Sequence, residues 1–233
     1  MHTIFIGIDV STSRRPFAYA ALDSDRRLVA VGEGELLEVL AFAAGQPGVT
    51  AAISAPARPN QGLMKKEAVR KTLDPVTPPG KFTNLRQAEY ELEKIGIATV
   101  HTPSIEENCQ PWVKKGFMLY RNLEALDFQD FPSDHPRQRL ETHSEAGFIS
   151  LLGQPLLSAA TLEGRLQRQL ILYEQDLPVN DPMRFFEEVT SHRLKRGILP
   201  TENILSELEL SAIMAAYIAW LTMSHPAKIA QYG

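Results

Sequence analysis

The run TIFIGIDV at residues 3–10 constrains this chain more than any other stretch. It is apolar on both alternating faces and rich in isoleucine, which predicts a strand buried in the middle of a sheet. It ends on one carboxylate, Asp9. An acid at the end of a central strand either caps the following turn, here through Ser11 and Thr12, or does chemistry at the sheet edge. Residues 17–22 and 27–31 form two more β-rich runs after short polar turns, so an antiparallel three-strand meander is expected. Leu36, Leu37, Leu40 and Ala44 then follow at helical spacing within 33–44, with Gly45 at the stop position. Residues 49–54 are a further apolar run ending at Ala55-Pro56, the pattern of a parallel central strand. The opening order is therefore β-β-β-α-β.

The remainder reads as mostly helical. Residues 57–84 hold Pro59, Pro75, Pro78 and Pro79 together with Lys65, Lys66, Arg70 and Lys71, and are expected to be a long loop or partly helical basic insertion. Spacing and caps predict a helix over 85–95, a short strand over 97–100, and a helix over 112–126. They predict a strand over 139–142, then helices over 144–152, 161–173, 181–197 and 205–223. The whole, 1–233, is expected to be a single domain.

Composition narrows the classes. With 24 basic and 28 acidic side chains the formal charge is -4, ordinary for a soluble globular chain. It speaks against disorder, collagen, coiled coil and a histone-like DNA binder. Cys109 is the only cysteine, which excludes a disulfide framework and a cysteine-based zinc finger and makes a reducing, cytoplasmic setting the expectation. The first residues show no secretory signal pattern. The longest apolar run, 210–223, has about 14 residues where a membrane span needs about 20, so a buried helix and no membrane partner are expected.

The stretch GIDVSTS admits three readings: the phosphate-binding first strand of sugar kinases and actin-like ATPases, the first strand of an RNase H-like nuclease, or an unrelated strand and turn. The kinase reading needs a second similar domain, for which 233 residues leave no room.

Several stretches form a recognisable set in order: GIDVSTSRRPFAYAALD, AAISAPARP, LRQAEYELEKIGI, RLETHSEAGFISLLGQP, TLEGRLQRQL, DPMRFFEEVTSHRLKRG and ELSAIMAAYIAWL. Through nearly the whole chain this resembles the family called domain of unknown function 429, predicted RNase H-like nucleases. The resemblance implies an α/β fold with an RNase H-like mixed sheet, helices on both faces and a helical carboxyl-terminal extension. It also implies metal-dependent phosphodiester cleavage with Mg²⁺ or Mn²⁺ and a nucleic-acid partner. Two divalent ions require several carboxylates at one spot. Asp9 and Glu141 match two acid positions of the family pattern and are the expected catalytic and metal-binding residues, whereas Ser54 and Ser211 stand where the pattern has aspartate.

Each serine removes a unit of negative charge from such a site. Glu207, one helical turn before Ser211 on the predicted last helix, is a candidate substitute ligand, with His143 and Glu145 as others. Glu209 is expected on a different face, in a charged first turn. Arg165 and Arg168, with Arg193, Lys195 and Arg196, could line a phosphate-facing surface or a solvated helix face. Phe117, Tyr120, Phe185 and Phe186 read as core more readily than as stacking platforms, and Cys109 as structural. A catalytically inactive RNase H-like protein that binds nucleic acid or protein is the alternative to the nuclease.

Overall fold

A computed structural model describes residues 3–10, 16–73, 76–78 and 80–231. The polar turn proposed at 11–15 lies outside them. Strands β1 (Ile4–Asp9), β2 (Phe17–Leu22) and β3 (Leu28–Gly34) form the antiparallel meander. Helix α1 (Leu36–Ala44) crosses back and β4 (Val49–Ser54) adds parallel to β1. After helices α2 (Glu67–Lys71), α3 (Gln87–Lys94) and α4 (Pro111–Ala125), the short β5 (Gln129–Asp130) and β6 (Arg137–Glu141) complete a six-stranded mixed sheet in the order β3-β2-β1-β4-β6-β5. Helices α5 (Ser144–Leu152), α6 (Leu162–Glu174), α7 (Arg184–Glu188), α8 (Ser191–Lys195) and α9 (Glu207–Ser224) follow. This is the expected α/β architecture with helices on both faces.

The alternation along β1 sorts the core into two layers. Ile6 and Ile8 point to the face covered by α1 and α4, where Val39, Leu40, Leu119 and Leu123 meet them. Phe5 points to the other face, covered by α5, α6 and α9. Gly7 shares that second face, and α9 lies so close that a Cβ at residue 7 would overlap the Ala212 carbonyl and the Ala216 nitrogen. Glycine is required there by contact rather than by φ. The alanines at 212, 215, 216 and 219 are fully buried and allow the same approach from the helix side. Helix α9 is the buried apolar helix expected from the sequence, and no helix among the described residues is long and apolar enough to cross a membrane.

Local expectations failed where the signal was short or the turn was misread. Residues 97–100 form no strand; they run as loop beside α3. The single helix expected over 181–197 is two short ones, because Val189 adopts an extended ψ of 108° and Thr190 starts again by accepting the Arg193 N–H on its side chain. The meander's last strand continues to Gly34, which delays α1 until after Glu35, whose N–H is held by the Glu38 carboxylate at 2.7 Å. Strand β6 starts two residues earlier than expected and ends at Glu141. The basic segment after β4 does contain a helix, α2, tied by Lys71–Glu67 at 2.8 Å.

Candidate functional site

Strand alternation decides which of the expected residues meet. Asp9 follows Phe5 and Gly7 onto the α9 face, and in the parallel ladder Asp9 stands directly beside Ser54. Ser54 in turn follows Ala52, which belongs to the same layer. On α9, one turn in from the end, Ser211 donates its hydroxyl proton to Asp9 Oδ2. Three of the four positions singled out by the family resemblance therefore converge. Asp9 is 3% exposed. A carboxylate so buried needs donors, and the Ser211 hydroxyl is one of them.

Serine hydroxyls recur around this point. The Ser144 hydroxyl, at the start of α5, donates to the Ser211 carbonyl at 2.9 Å and pins α5 to α9. His143 caps α5, its Nδ1 accepting the Ala146 N–H at 3.2 Å. Burial pushes the His143 pKa below its ordinary value, and the charges of Glu145, Glu141 and Asp9 oppose that shift without cancelling it. A neutral imidazole is what a cap that accepts a hydrogen bond requires. Lys115, on α4, sits 3.9 Å above the Phe17 ring centroid. Burial lowers its pKa, against the pull of Glu35 and Asp9.

Glu141 is elsewhere. It stands opposite Ile53, not Ser54, and it shares a strand face with Arg137 and Arg139, whose guanidinium groups bond to Leu126, Ala44 and Tyr120 carbonyls on the α1 and α4 side. Its carboxylate therefore points to the face opposite Asp9. There Arg86 grips it in a fork, Nη1 to Oε1 at 2.7 Å and Nη2 to Oε2 at 2.6 Å, while the Ala57 N–H adds a third donor at 2.9 Å. Burial works against the Arg86 charge, and the hydrogen bonds and charge of Glu141 more than offset it, holding the guanidinium pKa above its ordinary value.

Arg86 is a residue that sequence reasoning missed. It enters from the residue before α3, where Glu89 fixes the turn by accepting the Arg86 N–H at 2.9 Å and the Thr102 N–H at 2.9 Å. The Arg-x-x-Glu spacing at the helix start is visible in the sequence. The partner, 55 residues later, is not.

The other candidates have local duties. Glu207 is exposed in the first turn of α9. Glu209 closes a capping box with Ser206, accepting the Ser206 N–H at 2.8 Å. Glu145 binds Arg168 through both oxygens, at 2.8 and 2.9 Å. Arg168, a candidate for a phosphate-facing surface or a solvated helix face, is on neither: it is 3% exposed and spends further donors on the Leu157 and Gly164 carbonyls. Arg165 is half-buried on the same helix. Arg193 pairs with Glu188 at 3.7 Å. Phe117, Tyr120 and Phe185 are buried, as expected for core, whereas Phe186 is 59% exposed. Cys109 is buried, its thiol directed at the Pro103 and Ile105 carbonyls, while His101 pairs with Glu93.

These donors do not fit a pair of divalent ions. Ser54 and Ser211 are neutral, Glu141 faces away with both oxygens occupied, and Glu207 is part of an exposed helix start. Among the described residues, no group of three or more His, Cys, Asp or Glu side chains is arranged to hold a metal ion. The chain matches no family model, no curated protein and no solved structure.

Proposed function

We propose that the protein is a non-catalytic binding protein built on an RNase H-like sheet, with nucleic acid as its ligand class, rather than a metal-dependent nuclease. One observation carries the reading: Asp9 accepts from the Ser211 hydroxyl and stands beside Ser54 in the ladder, so serine occupies the two neighbouring positions where a two-ion site would need carboxylates. Two dications beside one carboxylate would be left with most of their charge uncompensated, and hydroxyl oxygens contribute dipoles, not charge. The outward turn of Glu141 removes the remaining acid from that face. The resemblance to domain of unknown function 429 supplies the ligand class, since an RNase H-like sheet edge is where a nucleic-acid backbone would lie.

The convergence of Asp9, Ser54 and Ser211 favours a second reading, a Mg²⁺- or Mn²⁺-dependent phosphodiester hydrolase working from Asp9. One experiment separates the two. DNA, RNA and hybrid duplexes, and their single strands, are incubated with the protein in Mg²⁺ or Mn²⁺ and analysed for cleavage, and the same substrates are titrated by fluorescence anisotropy in EDTA. The proposal expects saturable binding in EDTA and no cleavage with either metal. Cleavage that disappears in Asp9→Ala would establish the hydrolase instead, and absence of binding to every substrate would remove nucleic acid as the ligand.

A further inference from the structure

On the α4 side of the sheet, a cleft of about 290 Å³ opens between the segment after β4, one face of α4 and the β5–β6 edge. Its walls include Arg58, Phe117, Tyr120, Arg121, Asp130 and Arg139. Three guanidinium groups thus arrive from three separate parts of the sequence. We propose that this cleft is a binding site for a phosphate oxyanion carried on an organic group, with the arginines taking the phosphate and the Phe117 and Tyr120 wall taking the organic part. It lies on the sheet face opposite the Asp9 site and stands independently of the reading of that site.

Arg139 is the fixed member. It is buried, its Nε donates to Asp130 Oδ1 at 2.8 Å, and its Nη1 donates to the Tyr120 carbonyl. That geometry presents a pre-aimed guanidinium at the cleft floor, and a planar guanidinium matches phosphate oxygens better than a lysine would. Arg58 and Arg121 are the movable members, with side chains 58% and 59% exposed. Arg58 makes a loose ion pair to Asp130, at 3.5 Å. Arg121 lines the cleft while its guanidinium bonds to Glu106, at 3.0 to 3.1 Å.

The acids that neutralise these arginines are replaceable. Asp130 is 56% exposed and Glu124, which reaches Arg139 at 3.3 Å, is 71% exposed. The Arg58–Asp130 pair, exposed on both sides, contributes little to stability and is displaced at small cost; at the buried Arg139 the oxyanion takes the carboxylates' place, so the guanidinium is never left without a counter-charge. Rotation of Arg121 from Glu106 would then bring a third guanidinium to the phosphate.

The aromatic wall adds a second observation. Tyr120 is 4% exposed, and its hydroxyl has no hydrogen-bond partner among the described residues. A buried, unpaired hydroxyl is costly; Thr77 Oγ1, Thr102 Oγ1 and Arg193 Nη1 also lack a hydrogen-bond partner, but Tyr120 is the one of the four that lines the cleft. Burial holds its pKa well above the ordinary tyrosine value, with Glu141, Arg86, Arg139 and Asp130 the charged groups acting on it, so it keeps its proton and remains a donor beside the cleft's charged floor.

A phosphate ester can come from a free small molecule or from the phosphorylated end of a nucleic acid, and the test distinguishes the two. Inorganic phosphate, a nucleoside monophosphate and a short 5′-phosphorylated single-stranded oligonucleotide are each titrated by isothermal calorimetry in EDTA. The proposal expects saturable binding of the nucleoside monophosphate or the oligonucleotide, tighter than inorganic phosphate and weakening as salt rises. Arg58→Ala and Arg121→Ala should each weaken it about fivefold to tenfold. Both residues are exposed, so these variants keep the fold, and a thermal melt equal to the parent's confirms it. Tighter binding of the mononucleotide identifies a small-molecule site, and tighter binding of the oligonucleotide identifies a nucleic-acid end. No saturable binding, or binding unchanged in Arg58→Ala plus Arg121→Ala, overturns the proposal. Cleavage of substrates at the Asp9 site would leave the cleft untouched and bear only on the reading above.

Discussion

Asp9 and Glu141 end two strands that flank β4 on either side, and the hydrogen bonds described for the two carboxylates come from different kinds of donor. Asp9 is closed in by α9 and meets the neutral Ser211 hydroxyl. Glu141 keeps a side chain 28% exposed and receives a full cation, Arg86, with the Ala57 N–H beside it. The difference follows from a single step of alternation: β6 pairs so that Glu141 stands opposite Ile53, one residue short of Ser54. Because side chains change face at every residue, that one step sends the second acid through the sheet to the other layer. Two acids at the ends of strands on either side of β4 are therefore not a pair.

The contrast can be broken most severely at Gly7. Gly7→Val would drive a branched side chain into the α9 backbone and is expected to cost more than about 3 kcal/mol, measured by urea unfolding, with loss of the whole Asp9 edge. A variant of near-parental stability would mean that α9 does not hold Ser211 against β1 by this contact. Next in size is Arg86→Ala. Removing a forked, charge-assisted partner from a half-buried carboxylate should cost about 1–3 kcal/mol. Combined with Glu141→Ala the loss should be smaller than the sum of the singles, and additive losses in that double-mutant cycle would show that the two residues are not coupled.

Ser211→Ala sharpens the comparison from the other edge. It removes a neutral donor rather than a cation, so about 1 kcal/mol is expected. A larger loss than that of Arg86→Ala would reverse the ranking of the two edges. The smallest effect is titratable. The His143 pKa is lowered on folding from the ordinary 6.5, so the unfolded chain binds the proton more tightly. The stability this contributes is present above pH 6.5 and is lost as pH falls through 6.5 toward the folded value. His143→Asn keeps an N-cap acceptor and should flatten that part of the stability profile, read from chemical melts at successive pH values. An unchanged slope would place the acid sensitivity on other groups.

Much of the frame is legible in the residue pattern because it rests on local rules. The alternation in residues 3–10, the β-rich runs that follow and the apolar run at 49–54 give β1, β2 and β4 nearly residue for residue. Gly45 and Gly153 stop their helices as the pattern predicts. Strand β5, with only two residues, leaves no periodic trace. Ile97 is buried within a loop, so its apolar neighbourhood imitates a strand without having a partner. The site divides in the same way. That Asp9 lies at the edge of a central strand follows from its run, but the face on which Glu141 emerges depends on the register of β6 against β4, a nonlocal quantity. Arg86 was invisible for the same reason. Arg168 misled because an arginine at a helical spacing looks solvated until Glu145 and two carbonyls are seen to surround it.

The fit of Gly7 against Ala212 and Ala216 joins the first strand of the sheet to a helix that lies about two hundred positions downstream. A chain emerging from the ribosome makes β1 about two hundred residues before α9, so Gly7 waits for its cover over all of that interval. Domains dominated by such distant contacts fold late and expose sticky surface meanwhile. The same contact that shuts water away from Asp9 in the folded protein thus makes the strand made early dependent on a helix made much later, and a chain cut before residue 207 would leave Gly7 and Asp9 without their cover.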